Sequence, residues 1–377
     1  LVEDSLCSMK ALLPIELICT NRGARVIQTP CFPVIGPLMN LKELARHLGL
    51  SQSTVSRALN GYQDVNSDTR ERVLAAARRF DYSPNASAHR LATGHSGAIG
   101  IVFPSDRDPL LDPLFTDFLS GLTNSAARRQ MDILVSASLD TAEASYRRLA
   151  QRGSVDAVVL SSPLSEDPRV PLLDKLGIPC VVHGRTKSPR PHAFLDIDNE
   201  GAFRQAAELL IGLGHRRIGL VNGDARQAFA VDREAGWRSA LLRAGLEAPE
   251  TLNGSDIMTD EAGYRLTAGM LGSASPPTAV ICSSIFSAVG ACRAIRDRGL
   301  TIGSDISVIA HDDGITSIRP EAHHPPLTTT FSSIHRAGER IAEIVADLIG
   351  GKDPESCQEI WPVDLIFRDS TRPPVSP

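Results

Sequence analysis

At 377 residues the chain exceeds the roughly 250 to 300 residues at which one hydrophobic core stops growing, so more than one compact unit is expected. A hydrophobic share of 42% and a charged share of 22% are those of a soluble globular protein, and no apolar run approaches the roughly 18 residues that a membrane helix needs. The net charge of -5 is unevenly spread: residues 39–97 carry eight Lys/Arg against five Asp/Glu, residues 1–38 carry three of each, and the chain from residue 98 onward holds a surplus of eight acids. A basic module joined to an acidic body points the module at a polyanion and excludes no membrane-free class beyond that.

Residues 1–38 contain only short apolar pieces broken by Pro14, Pro30, Pro33 and Pro37, without the basic, apolar, small-residue order of a signal peptide. They read as a disordered extension, or as an upstream start with Met39 as the natural beginning. The seven cysteines are odd in number, and none stands in a metal-spaced pair. Cys180, Cys282 and Cys292 fall in apolar segments as free thiols would, which fits a reducing cytoplasm.

"NLKELARHLGL" sets Leu41, Leu44, Ala45 and Leu48 at helical spacing, with Gly49 as the turn residue. After it Ser51 stands at an N-cap position, and Val55, Ala58 and Leu59 form one apolar face. Gln52, Ser53, Ser56 and Arg57 make the opposite stripe. Asn60 and Gly61 end this second helix, and a third is expected from a cap at Asn66, with Val73, Leu74, Ala77 and Phe80 as its apolar face. Periodicity alone fits both an ordinary surface helix pair and a helix-turn-helix that offers its second helix to the major groove.

From residue 41 to residue 104 the order of "LA..LG.S..TVSR.LNG", "V...TR..V..AA....Y.PN..A..L" and the strand "IGIVFP" closely resembles the lac and galactose repressor family of bacterial regulators. The resemblance implies that Gln52, Ser53 and Arg57 face base edges while Ser51, Thr54, Ser56 and Asn60 lie near phosphates. Side-chain chemistry agrees: Gln pairs with adenine, Arg with guanine O6 and N7, and hydroxyls serve backbone oxygens. For "SPNASAHRLATG" the resemblance implies a hinge helix capped at Asn85, with Ala88 on it and Leu91 as a minor-groove wedge.

From Ala98 onward apolar runs alternate with helical stretches. Strands are expected at Ile99–Phe103, Ile133–Ala137, Ala157–Leu160, Cys180–His183, Ile218–Val221, Ala279–Cys282 and Ser307–Ala310, with helices between them, as in parallel sheets covered on both faces. The expected fold is thus a small all-α helix-turn-helix DNA-binding domain (39–84) and a hinge (85–97). The resemblance implies that an α/β two-lobed periplasmic-binding-protein-like ligand domain (98–372) follows. The resemblance implies lobes of about 98–198 with 331–358 and about 199–330 with 359–372.

A ligand would sit at the carboxyl ends of the strands. There "HGR" offers His183 and Arg185, "DREAGW" offers Arg233 at the family's sugar-clamping position, and "HDD" offers Asp312 and Asp313. Phe115, Phe229 and Phe286 are candidate aromatic platforms, each with a core role as the plainer reading. The stretch "CSSIFSAVG" departs from the Asn-Asp pair that family members usually carry. With "HGR", it brings the chain nearer to regulators of α-glucoside or raffinose-type uptake.

No GxSxG elbow, P-loop or HExxH occurs, and the histidines 311, 323 and 324 have no standard metal spacing, so neither enzyme activity, cofactor nor metal is expected. The expected protein is a homodimeric repressor that binds a pseudo-palindromic operator in the cytoplasm and responds to a small sugar, with no membrane partner. The alternatives are corepression, as in purine-type relatives, and a sugar-binding protein without a DNA role. The tail "VDLIFRDSTRPPVSP" lacks a leucine heptad, which speaks against a coiled-coil tetramer.

Overall fold

The computed structural model describes residues 17–19, 25–27, 39–59, 62, 64–82, 94–104, 109–138 and 141–375. The chain divides into two compact units, Leu1–Ala92 and Thr93–Pro377. Asn60 and the hinge positions Asn85, Ala88 and Leu91 lie outside the described residues.

In the first unit, β1 (Leu17–Cys19) and β2 (Arg25–Ile27) pair antiparallel, a local hairpin inside the stretch read from sequence as a disordered extension. Three helices follow: α1 (Leu41–Leu48), α2 (Gln52–Leu59) and α3 (Ser67–Arg79). Asn40 and Glu43 cap α1 reciprocally, each side chain accepting from the other's backbone N–H at 3.0 Å. Gly49, at φ +68°, takes the left-handed conformation that ends α1 and turns the chain into α2. Leu44, Val55 and Val73 are fully buried at the meeting point of the three helices, with Ala45, Ala58, Ala76 and Ala77 around them. Removing such aliphatic side chains from water stabilises a fold by about 1.5–3 kcal/mol each, which is how a module this small holds together. Leu74 is exposed, contrary to the face expected for α3, and Ala76 is buried instead. The face follows 73, 76, 77 and 80, and position 74 is rotated by one residue off that stripe.

The second unit holds two six-stranded sheets. The first has the order β13–β7–β6–β5–β3–β4 and is parallel throughout: β3 (Ala98–Pro104), β4 (Asp132–Ser138), β5 (Ala157–Ser161), β6 (Cys180–His183), β7 (Ala193–Ile197) and β13 (Gln358–Trp361). The second runs β14–β12–β11–β10–β8–β9, with β8 (Ile218–Asn222), β9 (Asn253–Ser255), β10 (Ala279–Cys282), β11 (Ser307–Asp312), β12 (Thr328–Phe331) and an antiparallel edge strand β14 (Asp364–Ile366). The helices between them are α4 (Pro113–Ala127), α5 (Ala142–Arg152), α6 (Arg169–Leu176), α7 (Asn199–Gly212), α8 (Ala228–Arg243), α9 (Asp260–Leu271), α10 (Ile285–Asp297) and α11 (Ile334–Ile349).

The two sheets each carry core on both faces. Ile99, Ile101, Val159 and Leu195 face Phe118, Leu122, Ile341 and Val345 of α4 and α11, while Val158, Leu160 and Val182 face Tyr146, Leu149 and Leu173 of α5 and α6. In the second sheet Ile218, Leu220 and Ile281 face Phe203 and Trp237 of α7 and α8, while Val221, Val280 and Val308 face α9 and α10. Such near-continuous apolar strands are what a sheet buried on both sides requires. The chain passes between the sheets three times, after β7, after β12 and between Trp361 and Asp364, the last a few residues beyond Glu359. Cys282 and Cys292 are buried free thiols, and burial pushes the Cys292 thiol up to about 11.

Paired helices cross in backbone contact. A Cβ at Gly121 would stand 2.0 Å from the His335 carbonyl oxygen, and one at Gly338 would stand 2.2 Å from that of Phe118. Gly121→Ala should therefore force α4 and α11 apart and lower stability by about 1–3 kcal/mol in urea unfolding. Gly212→Ala, where a Cβ meets nothing within 4 Å, should leave stability unchanged or raise it.

Candidate functional site

Helix α2 separates its packing and its exposed surface cleanly. Val55 and Ala58 are buried, Gln52, Ser53 and Arg57 are exposed, and Thr54 and Ser56 lie between. Ser51 Oγ accepts from Thr54 N at 3.1 Å and lies 2.8 Å from both Ser53 Oγ and Thr54 Oγ1, so Ser51 caps the helix through its side chain. The Arg57 guanidinium pairs with the Asp64 carboxylate and lies over the Tyr62 ring, 5.3 Å from its centroid. An exposed stripe of amide, hydroxyl and guanidinium on a rigid helix can donate to base edges and phosphates alike.

In the second unit polar side chains converge where the strands of both sheets end. Arg233, on α8, is buried between the rings of Phe203 and Phe229, its guanidinium carbon 4.9 Å from each centroid. Its Nε donates to Asn199 Oδ1 at 2.7 Å, and Nη1 donates to the Ser283 carbonyl at 2.5 Å. Asn199 in turn donates to Asp196 Oδ1 at 3.1 Å, and Ser283 Oγ donates to Asn222 Oδ1 at 2.7 Å. Burial pulls the Arg233 pKa down to about 10, with Asp313 and Asp196 opposing the fall, so it is a cation at neutral pH.

Two histidines flank this cluster in neutral form. His183, at the end of β6, stacks on Phe118 with ring centroids 4.6 Å apart, and burial pulls its pKa down to about 4 against the pull of Asp313. His311 is buried beside Thr330 Oγ1 at 2.9 Å, and burial, then the Arg233 charge, lowers its pKa. Asp312 accepts from Gly314 N at 2.9 Å, and burial raises its pKa.

Arg185 bridges the sheets. It donates through Nε to Asp196 of β7 and through Nη2 to Asp232 of α8, both at 3.0 Å. Nearby, Ala228 N donates to Pro163 O at 2.9 Å, joining the start of α8 to the loop after β5. Past Asp312, Ile315 and Thr316 join Leu110, Leu111, Thr116 and Asp117 around a cavity of ≈ 410 Å³.

The pattern of bacterial regulatory proteins of the lacI family matches residues 40–85, and that of a periplasmic binding protein-like domain matches residues 207–371. The HTH-type transcriptional regulator AglR of Rhizobium meliloti (strain 1021) is 48% identical over 339 residues, covering 89% of this chain and 95% of AglR. This chain belongs to the lacI family. RafR, an HTH-type transcriptional regulator of Escherichia coli, is 36% identical over 339 residues, 88% of this chain and 98% of RafR. Among solved structures, the lac repressor dimer bound to operator and the anti-inducer ONPF matches with a TM-score of 0.74 at 25% identity, over 89% of this chain and 99% of that one. The complex of the transcriptional regulator CelR with cellobiose matches with a TM-score of 0.65 at 28% identity, over 88% and 99%. The lacI-family chain described here is accordingly a DNA-binding transcriptional regulator with a periplasmic-binding-protein-like second unit, the fold expected from its sequence.

Of the residues singled out from sequence, His183, Arg185 and Arg233 come together at the strand ends with Asp313, whereas Asp312 is held in its own turn by Gly314 N. Phe115 and Phe286 instead rest half-buried against the cores of the first and second sheets. Sequence reasoning passed over Asp196, Asn199, Phe203, Asn222 and Ser283. The signal for the first two was the short alternation "AFLDI" leading into Asp198 and Asn199, a buried strand followed by a helix cap.

The neutral His183 has a consequence for stability. The unfolded chain takes up a proton below pH 6.5 that the folded imidazole refuses until about pH 4, so stability is full above pH 6.5 and declines as pH falls toward 4. In urea unfolding His183→Gln should flatten that decline; an unchanged slope would count against a desolvated ring.

Proposed function

We propose that this lacI-family regulator is a homodimeric repressor of sugar-uptake or sugar-catabolism genes, released from a pseudo-palindromic operator by a small neutral sugar of the α-glucoside class. The observation that carries this reading is the surroundings of Arg233. A cation held between aromatic rings, with amides, carboxylates and neutral imidazoles around it, presents the paired donors and acceptors that sugar hydroxyls need without demanding a charged ligand. The 48% identity to AglR and the fold shared with the CelR complex with cellobiose support the sugar class.

In the first unit the proposed readers are Gln52, Ser53 and Arg57, with Ser51, Thr54, Ser56 and Asn60 at phosphates. Asn85, Ala88 and Leu91 are proposed for the hinge. Each good base contact contributes about 1–3 kcal/mol of discrimination. Sugar lowers operator affinity by linkage, since it binds the released state more tightly than the operator-bound one.

Two measurements test the reading. Arg57→Ala should lose about 1–3 kcal/mol of preference for operator over unrelated duplex in gel shifts at fixed salt, with the second unit still folded. For Arg233→Lys, titration calorimetry with a panel of α-glucosides should show binding weakened at least about tenfold, because an ammonium cannot replace a planar fork stacked between rings. Unchanged binding would remove Arg233 from the effector site.

A further inference from the structure

The contacts around Arg57 go further than a reading role for that residue alone. Tyr62 and Asp64 lie between α2 and α3; Tyr62 is fixed by bonds that do not involve Arg57's side chain, and Asp64 directly precedes Val65. Tyr62 N donates to the Arg57 carbonyl at 3.1 Å, the Tyr62 carbonyl accepts from Arg70 Nη2 of α3 at 2.5 Å and from Val65 N at 3.3 Å, and Val65 packs into the three-helix core. The Arg57 guanidinium carbon lies over the Tyr62 ring, 5.3 Å from its centroid, with Nη2 on the Asp64 carboxylate.

Both partners are at the surface: Tyr62 is 44% exposed, and the Arg57 and Asp64 side chains are 51% and 53% exposed. An exposed ion pair of this kind contributes little to stability, so its effect lies in orientation. A guanidinium has five N–H donors in a fixed fork, and guanine O6 and N7 take two. An arginine already stacked on a ring and tied at one nitrogen loses less freedom when it meets the base, and can meet it in fewer wrong orientations. The carboxylate also sets a negative charge beside the reading stripe, which opposes phosphate wherever Arg57 is not matched by a guanine.

We infer that Tyr62 and Asp64 are positioning residues that hold Arg57 for guanine, so that Asp64, an acidic side chain on a DNA-binding surface, raises sequence selectivity at the expense of overall affinity. The inference rests on the proposed base contact of Arg57. An acid there should therefore act in two separable ways: its removal strengthens binding to any duplex and weakens the choice between duplexes.

The test uses the full-length protein and an operator obtained by selection from random duplexes, with each base pair substituted in turn at one salt concentration. Arg57→Ala first locates the base pair whose guanine preference it abolishes. At that pair Asp64→Asn should cut the preference by about fivefold to tenfold, a fraction of one bidentate contact, and should tighten binding to unrelated duplex. Tyr62→Leu should cut the same preference without tightening unrelated binding, and Asp64→Glu should restore most of it. If Arg57→Ala relaxes that position while Asp64→Asn and Tyr62→Leu leave its preference intact, the positioning role is overturned and the reading role stands. If Arg57→Ala changes no base preference, both fall. A uniform loss of affinity at every position in the variants would mark a merely structural role and equally overturn the inference.

Discussion

Keeping the Arg233 guanidinium charged while excluding it from water constrains the second unit more than any other interaction described here. An isolated ion carries a large desolvation penalty in a protein interior, and burial accordingly pulls this pKa down to about 10. Compensation arrives from separate pieces of chain: Asn199 at the start of α7, the carbonyl of Ser283 after β10, and the rings of Phe203 and Phe229. Those groups meet only if the strands of the second sheet end at one level and α7 packs tightly on α8. A Cβ at Gly236 would stand 2.1 Å from the Glu200 carbonyl oxygen, so that approach depends on a residue without a side chain.

The same junction ties the two sheets together electrostatically. Asp196 is buried on β7, where its desolvation outweighs the nearby Arg185 charge and raises its pKa. Arg185 therefore meets a carboxylate with a real need for a partner on one side, and the more exposed Asp232 on the other. Exposed pairs contribute about 0–1 kcal/mol, so the Asp196 arm is the firmer one and the Asp232 arm the one that a bound ligand can displace at little cost.

Much of this architecture was legible in the sequence because its signals are local. Capping at Ser51, the glycine turn at Gly49 and the buried stripe of α2 each follow from a few neighbouring side chains. Seven strands stood out as apolar runs. The strands of the second unit that escaped, β7, β9, β12, β13 and β14, are short, and β12 consists of "TTTF", whose Thr328 is buried through hydrogen bonds to the tail, such as the one between Thr328 Oγ1 and Thr371 Oγ1 at 2.7 Å. Hydropathy does not register a strand whose burial depends on partners forty residues away. The misassigned Leu74 has the opposite cause, an apolar residue that lies one step off the helical stripe.

What the sequence determined by itself was the order and type of the longer elements, the basic module with the buried and exposed stripes of its second helix, and the family. Those follow from spacing, periodicity and residue chemistry within short windows. Only the tertiary structure decided which polar groups share a site. Arg233, Asn199, Ser283 and Asp313 are far apart in the chain and become neighbours because parallel strands deliver their carboxyl ends to one edge. It likewise decided that Arg57 rests on Tyr62 and Asp64, since that contact depends on how α3 anchors the segment between them rather than on any pattern in the residues.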